Sequence, residues 1–237
     1  MTALLADLII PTYNERGYIE RTLKSLTQQT LYREGKLHIA VGDFKNELNM
    51  EDTELYSITK KYDNVTYIPI FYKGIAYARN TIVSDASKTD IIVNFDADSM
   101  FNTTDAIEKM IDPIINKEAL LTNCETIFYD FQNNKAVEKD PSNIYEYLSN
   151  LGSKAEKFIF ARGPGLTVRK DTFYSVGGFR NIAVGEDYFM AWDVCVKYGY
   201  QSKKFIDKVQ VLTSNRRSSN YAKDGINVFN YQDNNYR

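Results

Sequence analysis

Ile91-Ile92-Val93-Asn94-Phe95-Asp96-Ala97-Asp98 is the stretch that decides how the chain is read. A short, β-branched run without helical periodicity predicts a covered strand over Asp90–Phe95. In open α/β sheets the carboxyl ends of strands form the rim where ligands bind. Residues i and i+2 of a strand point the same way. On that reading Asp96 and Asp98 aim two like charges at one place, which repel unless a cation or a set of donors stands between them. Oxygen-only ligation by carboxylates suits Mg2+ or Mn2+, with water and substrate phosphates as the remaining ligands. A polar strand-to-loop exit explains the same residues, and D-x-D alone does not choose between the two.

Outward from this stretch, the first half alternates strand and helix patterns. Strands are predicted over Leu5–Ile10, Leu37–Gly42 and Val65–Ile70. Between them, helices run from about Glu15 to Gln29, Asp52 to Tyr62 and Gly74 to Asp85. The alternation predicts βαβ units, a parallel sheet and right-handed crossovers. The second half is less regular. Thr103 or Thr104 is placed as the cap of a helix running to about Ile115. Strands are read at Glu118–Asn123, Phe158–Val168 and Lys204–Leu212, with a polar loop at Asn133–Asp140. A helix from Glu186 to Tyr198 carries Phe189, Trp192 and Val196 on one face. The tail from Thr213 is polar and rich in Tyr and Asn. One domain is the simplest account of the 237 residues, with halves at 1–100 and 101–212 and a tail at 213–237.

Composition narrows the function classes. Hydrophobic residues are 43% and charged residues 25%, an ordinary globular balance. A net charge of −2 gives no global field for nucleic acid. No apolar stretch approaches the roughly 20 residues of a membrane span, and the start lacks signal-peptide character. The expectation is a soluble cytoplasmic protein, with peripheral membrane contact left open. Cys124 and Cys195 fit no metal spacing, and His38, the only histidine, sits inside an apolar run. Histidine triads and histidine-bearing zinc sites are therefore poor candidates.

Five further segments are candidates for chemistry. Ile9-Ile10-Pro11-Thr12-Tyr13-Asn14-Glu15 runs from an apolar strand into a helix, and Pro11, lacking a ladder donor, should end the strand. Thr12 and Asn14 are positioned to cap that helix. Asp43 follows the second strand and lands on the same rim, where it can accept from a nucleobase or ribose. Lys73-Gly74 precedes Ala78-Arg79-Asn80, and the Arg79 fork matches two phosphate oxygens. Glu186 and Asp187 open a helix, where the dipole alone accounts for acidic residues and a general base is the functional reading. Arg216 and Arg217 follow the last strand as surface charge or a phosphate clamp.

In this order the segments resemble the family 2 glycosyltransferases, which have the GT-A fold: a single Rossmann-like α/β domain with a mixed, mostly parallel sheet flanked by helices. The matching pieces are IIPTYNER, Asp43, KGIAYARN, NFDADS, GPGLTVRKDTFYSVGGF, GEDYFMAWDV and TSNRR, spanning Leu8 to Arg217. The resemblance implies sugar transfer from a nucleotide-diphosphosugar, with UDP or GDP as carrier, usually with inversion and a divalent Mn2+ or Mg2+. It implies that Pro11, Thr12, Tyr13 and Glu15 line the nucleotide pocket with Lys73, and that Asp43 contacts the base. Arg79 would face the nucleotide or its phosphates. Asp96 would sit near ribose or metal, and Asp98 would bind the metal. Asp187 would be the catalytic base beside Glu186, and Arg216 and Arg217 would approach the pyrophosphate or a phosphate-bearing acceptor. The acceptor, whether sugar, lipid-linked or protein, is left open, as is the oligomeric state.

Two departures stand out. The second strand ends Gly42-Asp43 where the family often has two acidic residues and a Gly-Ser segment, and no histidine follows the carboxylate pair. Two alternatives remain on sequence alone. A sugar-nucleotide nucleotidyltransferase shares a related sheet but usually carries a glycine-rich loop after the first strand, where this chain has no glycine until Gly17. A GT-A-shaped binding module without catalysis is the other.

Overall fold

The computed structural model describes residues 3–13, 15–44, 54–129, 161–182 and 185–214. Within them, strands β1 (Ala6–Thr12), β2 (Leu37–Phe44), β3 (Val65–Ile70), β4 (Ile91–Asn94), β5 (Met100–Phe101), β6 (Leu121–Tyr129), β7 (Thr167–Arg169) and β8 (Lys203–Ser214) form one sheet. Helices are α1 (Arg16–Leu26), α2 (Thr30–Arg33), α3 (Glu54–Thr59), α4 (Ile75–Ala86), α5 (Ala106–Ile115), α6 (Lys170–Ser175) and α7 (Glu186–Tyr198). The strand order is β3-β2-β1-β4-β7-β6-β8-β5. β3, β2, β1 and β4 are mutually parallel, as the βαβ reading requires, whereas β7 is antiparallel to both β4 and β6.

Alternation along the strands builds two apolar layers. Leu8 and Ile10 of β1 face one side with Ile39, Val41 and Val93, covered by Ile19 and Leu23 of α1 and Met110 and Ile111 of α5. Ile9 faces the other side with Ala40 and Ile92, covered by Ile82 and Val83 of α4 and by Met190 and Val194 of α7. Each fully buried Leu or Ile contributes roughly 1.5–3 kcal/mol, so the sheet's rim is held by cores on both faces.

Several sequence expectations change. β1 runs through Pro11 to Thr12 rather than stopping. Its pairing with β4 ends at Ile9, so beyond that point β1 has β2 alone beside it and a missing N–H is tolerated. Asp105, not Thr103 or Thr104, stands at the start of α5. The strand read at Phe158–Val168 shrinks to Thr167–Arg169; residues 161–166 approach it as irregular chain, and 158–160 lie outside the described residues with the loop at 133–140. Phe189, Trp192 and Val196 do share a face of α7, but it is the exposed one. Met190, Ala191, Val194 and Cys195 form the packed face instead, because the helix is anchored by its small and aliphatic side.

His38 is a β2 residue, buried at the rim opposite the ligand edge. Its Nδ1 lies 2.8 Å from Asp7 Oδ1 and its Nε2 2.7 Å from Thr66 Oγ1. Asp7 Oδ2 accepts from the Lys88 and Thr89 backbone N–H groups at 2.8 and 2.7 Å and from the Thr89 hydroxyl at 2.8 Å. Burial alone would raise the Asp7 pKa, but these donors hold it below the usual carboxylate value. Its stabilisation is therefore complete above the ordinary pKa of 3.8 and is lost as the pH falls through the folded-state value. Asp7→Ala leaves several buried donors unmatched, at about 1–3 kcal/mol each for those that find no water. The expected result is a large drop in melting temperature at neutral pH that narrows in strong acid. An equal drop at every pH would mean that packing, not charge, sets it.

Candidate active site

Three strand ends and two helix starts converge on one rim. β1 and β2 are in register there, Pro11 opposite Gly42 and Thr12 opposite Asp43. The Thr12 hydroxyl donates to the Gly42 carbonyl at 2.9 Å and lies 3.3 Å from Asp43 Oδ1. The Tyr67 hydroxyl donates to Asp43 Oδ2 at 3.1 Å, so both carboxylate oxygens are oriented from the sheet. Exposed Tyr13 packs edge-on to Phe44 at 5.4 Å, with the Lys73 ammonium 5.7 Å from its ring. Glu15 is buried at the start of α1, its carbonyl accepting from the Tyr18 and Ile19 N–H groups. Thr12 and Asp43 meet directly, as do Tyr13 and Lys73. Arg216 and Arg217 lie outside the described residues.

The second group is acidic and centres on Arg79. α4 carries this guanidinium to a site where it is 1% exposed. One nitrogen, Nη2, donates to Asp96 Oδ1 at 2.9 Å, and Nη1 donates to Glu186 Oε1. Phe179 stacks against it, ring centroid 5.3 Å from Cζ. The fork that the sequence aimed at phosphate is thus attached to two carboxylates. Burial would lower the Arg79 pKa, but Glu186, Asp96 and Asp187 together raise it, so the cation persists.

Asp96 and Asp98 do not sit within a strand. β4 ends at Asn94, and Ala97 and Asp98 form a turn, so the i, i+2 argument from strand geometry does not hold. From this turn Asp96 reaches Arg79 and Asp98 reaches Thr213. Asp98 is buried, with Oδ1 accepting from the Thr213 hydroxyl at 3.2 Å near the end of β8. Asp96 is half-buried.

Gly185, in the left-handed region at φ 88°, starts α7 and sets Glu186 and Asp187 at its N-terminus. Glu186 is buried against Arg79, and burial is the main reason its pKa rises to about 7, with Asp187 adding repulsion and Arg79 opposing both. Asp187 is partly exposed and its Oδ1 accepts from the Tyr188 N–H at 2.8 Å. Burial again dominates in raising its pKa, against the pull of Arg79 and the backbone N–H groups of Tyr188 and Gly163. One guanidinium thus faces three carboxylates, and burial raises both carboxyls at the start of α7, Glu186 to about 7.

Sequence reading gave no role to the residues that hold this cluster. Asn94 Nδ2 donates to the Gly163 carbonyl at 2.6 Å, while the Asn94 backbone bonds to Leu166 and Gly165 at 2.7 and 2.8 Å. A Cβ on Gly163 would lie 2.8 Å from Arg79 Nη2 and 3.1 Å from Asp187 Oδ2, so only glycine lets the chain pass there. The glycines of GPG and GG were the available signal; their partners, distant in sequence, were not.

A strand-end rim with a paired-carboxylate turn and an acidic helix start defines a GT-A type domain. The glycosyl transferase family 2 model matches residues 7–177, and the chain belongs to that family. It is 24% identical over 212 residues to the O-antigen chain rhamnosyltransferase RfbN of Salmonella typhimurium, with 82% of this chain and 62% of that protein covered. Among solved structures it is similar to the mannosyltransferase PcManGT from Pyrobaculum calidifontis in complex with GDP-Man and Mn2+. The TM-score is 0.65 and the identity 20%, over 87% of this chain and 56% of that one. Staphylococcus aureus TarS 1-349 in complex with UDP-GlcNAc gives 0.64 and 15%, over 90% and 59%. The chain thus spans about three fifths of the length of these proteins. No helix among the described residues is long and apolar enough to cross a membrane.

Proposed function

We propose that the chain transfers a sugar from a nucleotide-diphosphosugar to an acceptor hydroxyl by a single inverting displacement. The observation that carries this reading is the Arg79 bridge, which joins Asp96 beyond β4 to Glu186 at the start of α7, with the Asp187 carboxylate close enough to act on Arg79 electrostatically. Thr12, Tyr13, Asp43 and Lys73 supply a nucleotide edge beside it: an aromatic face, an oriented carboxylate and a cation. Asp187, the more open of the two α7 carboxylates, takes the proton of the acceptor hydroxyl. The hydroxyl oxygen bonds to the anomeric carbon as the bond from that carbon to the phosphate oxygen breaks, and the nucleoside diphosphate leaves with the electron pair. Glu186, held by Arg79, keeps the helix start in place.

The donor set at the turn fits a divalent cation. Asp98 and Asp96 are hard oxygen ligands separated by one residue, and among the described residues no third acidic, histidine or cysteine side chain joins them in a group placed to hold a metal ion. Two carboxylates completed by substrate phosphates and water is a common Mg2+ or Mn2+ arrangement. Bound there, such an ion supplies Lewis-acid stabilisation of the leaving diphosphate. The named relatives support the donor class: one is a rhamnosyltransferase, and two structures hold GDP-Man or UDP-GlcNAc.

A thermal-shift panel of nucleotide-linked mannose, N-acetylglucosamine and rhamnose, with and without Mn2+, tests the reading. One donor should raise the melting temperature selectively, as preferential binding to the folded state requires, and that donor should then be hydrolysed or transferred. No shift and no turnover with any nucleotide sugar would overturn it. Full chelation with EDTA should abolish turnover and Mn2+ should restore it; activity that survives chelation contradicts the cation assignment.

A further inference from the structure

We infer that Asn80, which has no part in the proposed chemistry, is the positioning residue that presses Phe179 onto Arg79 and so fixes Arg79 between Asp96 and Glu186. Neighbouring residues on a helix point about 100° apart, so α4 sends Arg79 into the acidic cluster and Asn80 toward the loop that follows α6. There the Asn80 amide uses both of its ends on one residue. Its Nδ2 donates to the Phe179 carbonyl at 2.8 Å, and its Oδ1 accepts from the Phe179 N–H at 2.9 Å. Such a two-point clasp fixes the direction of the Phe179 backbone as a strand partner would.

The loop is shaped for it. Gly178 has φ 74°, and a Cβ there would lie 2.9 Å from Asn80 Oδ1 and 3.2 Å from Phe173 Cζ. Close approach of the loop to Asn80 therefore needs glycine. Phe179 itself is 2% exposed, with its ring 5.6 Å from that of Phe173 on one side and 5.3 Å from the Arg79 guanidinium carbon on the other. A desolvated contact between guanidinium and ring is attractive and so biases the orientation of the fork. Asn80 thus sets the third side of Arg79, the other two being Asp96 and Glu186.

This assignment rests on the reading of the Arg79 carboxylates as the reacting cluster, and the test separates the two. Asn80→Ala should lower kcat by on the order of 10-fold to 10²-fold through misplacement of the cluster, with the donor KM changed less than about twofold. Asn80→Asp, which keeps the acceptor for the Phe179 N–H and loses the donor, should fall between parent and Ala. It also serves if Asn80→Ala does not fold. Among the described residues no hydrogen bond joins Asn80 to Glu186, so a purely local clasp predicts that Asn80→Ala and Glu186→Gln add in full. A positioning role predicts that the pair costs less than the sum, in kcat and in melting temperature alike. Parent kcat in a folded Asn80→Ala, or full additivity in both measures, overturns the inference. If the parent turns over no nucleotide sugar, the proposed function fails, and the melting cycle still decides the role of Asn80.

Discussion

Arg79→Met should destabilise the fold by about 3–5 kcal/mol above neutral pH, the range found when one partner of a buried ion pair is removed. In a chain of this size that lowers the melting temperature by roughly 10 °C. The guanidinium is 1% exposed and its two carboxylate partners have no other cation within bonding distance among the described ion pairs. Methionine fills much of the volume, so loss of charge rather than of packing dominates. The pH dependence follows from Glu186. Its folded-state pKa is raised, to about 7 against 4.5, so its contribution is fully present below 4.5 and is lost as the pH rises through about 7. Arg79 is what restrains that rise, so its removal moves the folded value higher and deepens the loss on the alkaline side. In acid Glu186 is neutral and no longer needs Arg79, so the variant should approach the parent. Melting curves of both proteins from pH 4 to 9 check this. A penalty of constant size across that range would show that Arg79 supports the fold through packing.

The half of the fold that was legible is the half built from local, repeated signals. β1 to β4 are apolar runs punctuated by amphipathic helices, and parallel strands covered on both faces leave just such runs. β5 and β7 have two and three residues, too short for periodicity, and exist because β8 and β4 offer them edges. The orientation of α7 was misleading for a different reason. Phe189 and Trp192 are large aromatic residues, yet with Val196 they face outward while Met190, Ala191 and Val194 pack toward the sheet, and hydrophobic size alone does not choose a face. At the site, the charged residues could be picked out because burying charge without a partner is costly, so acids at strand and helix ends draw attention in a sequence. Asn80 and Asn94 could not, since their importance lies in Phe179 and Gly163, 99 and 69 positions away, which the fold brings within hydrogen-bond reach.

Asp187→Asn should lower turnover by about 10²–10⁴-fold, the contribution of a positioned general base, while leaving donor binding in place. Asn preserves size and can still accept from the Tyr188 N–H that now reaches Oδ1 at 2.8 Å. What it lacks is the capacity to take a proton. Glu186 is the rival for that role and the geometry argues against it: it is 4% exposed and its Oε1 is already bonded to Arg79, whereas Asp187 is partly open to solvent. Both carboxyl pKa values are raised, so the parent's kcat should climb through the approach to neutrality as the cluster loses its protons. In Asp187→Asn that climb should be largely absent, because the remaining rate no longer depends on a deprotonated base. Glu186→Gln should retain the climb with a smaller loss of rate, since it weakens the hold on Arg79 without removing the proton acceptor. The measurement is kcat against pH for the three proteins, with the donor-induced thermal shift as the control for binding. If Asp187→Asn works at the parent rate and Glu186→Gln is the variant that loses its pH dependence, the base is Glu186.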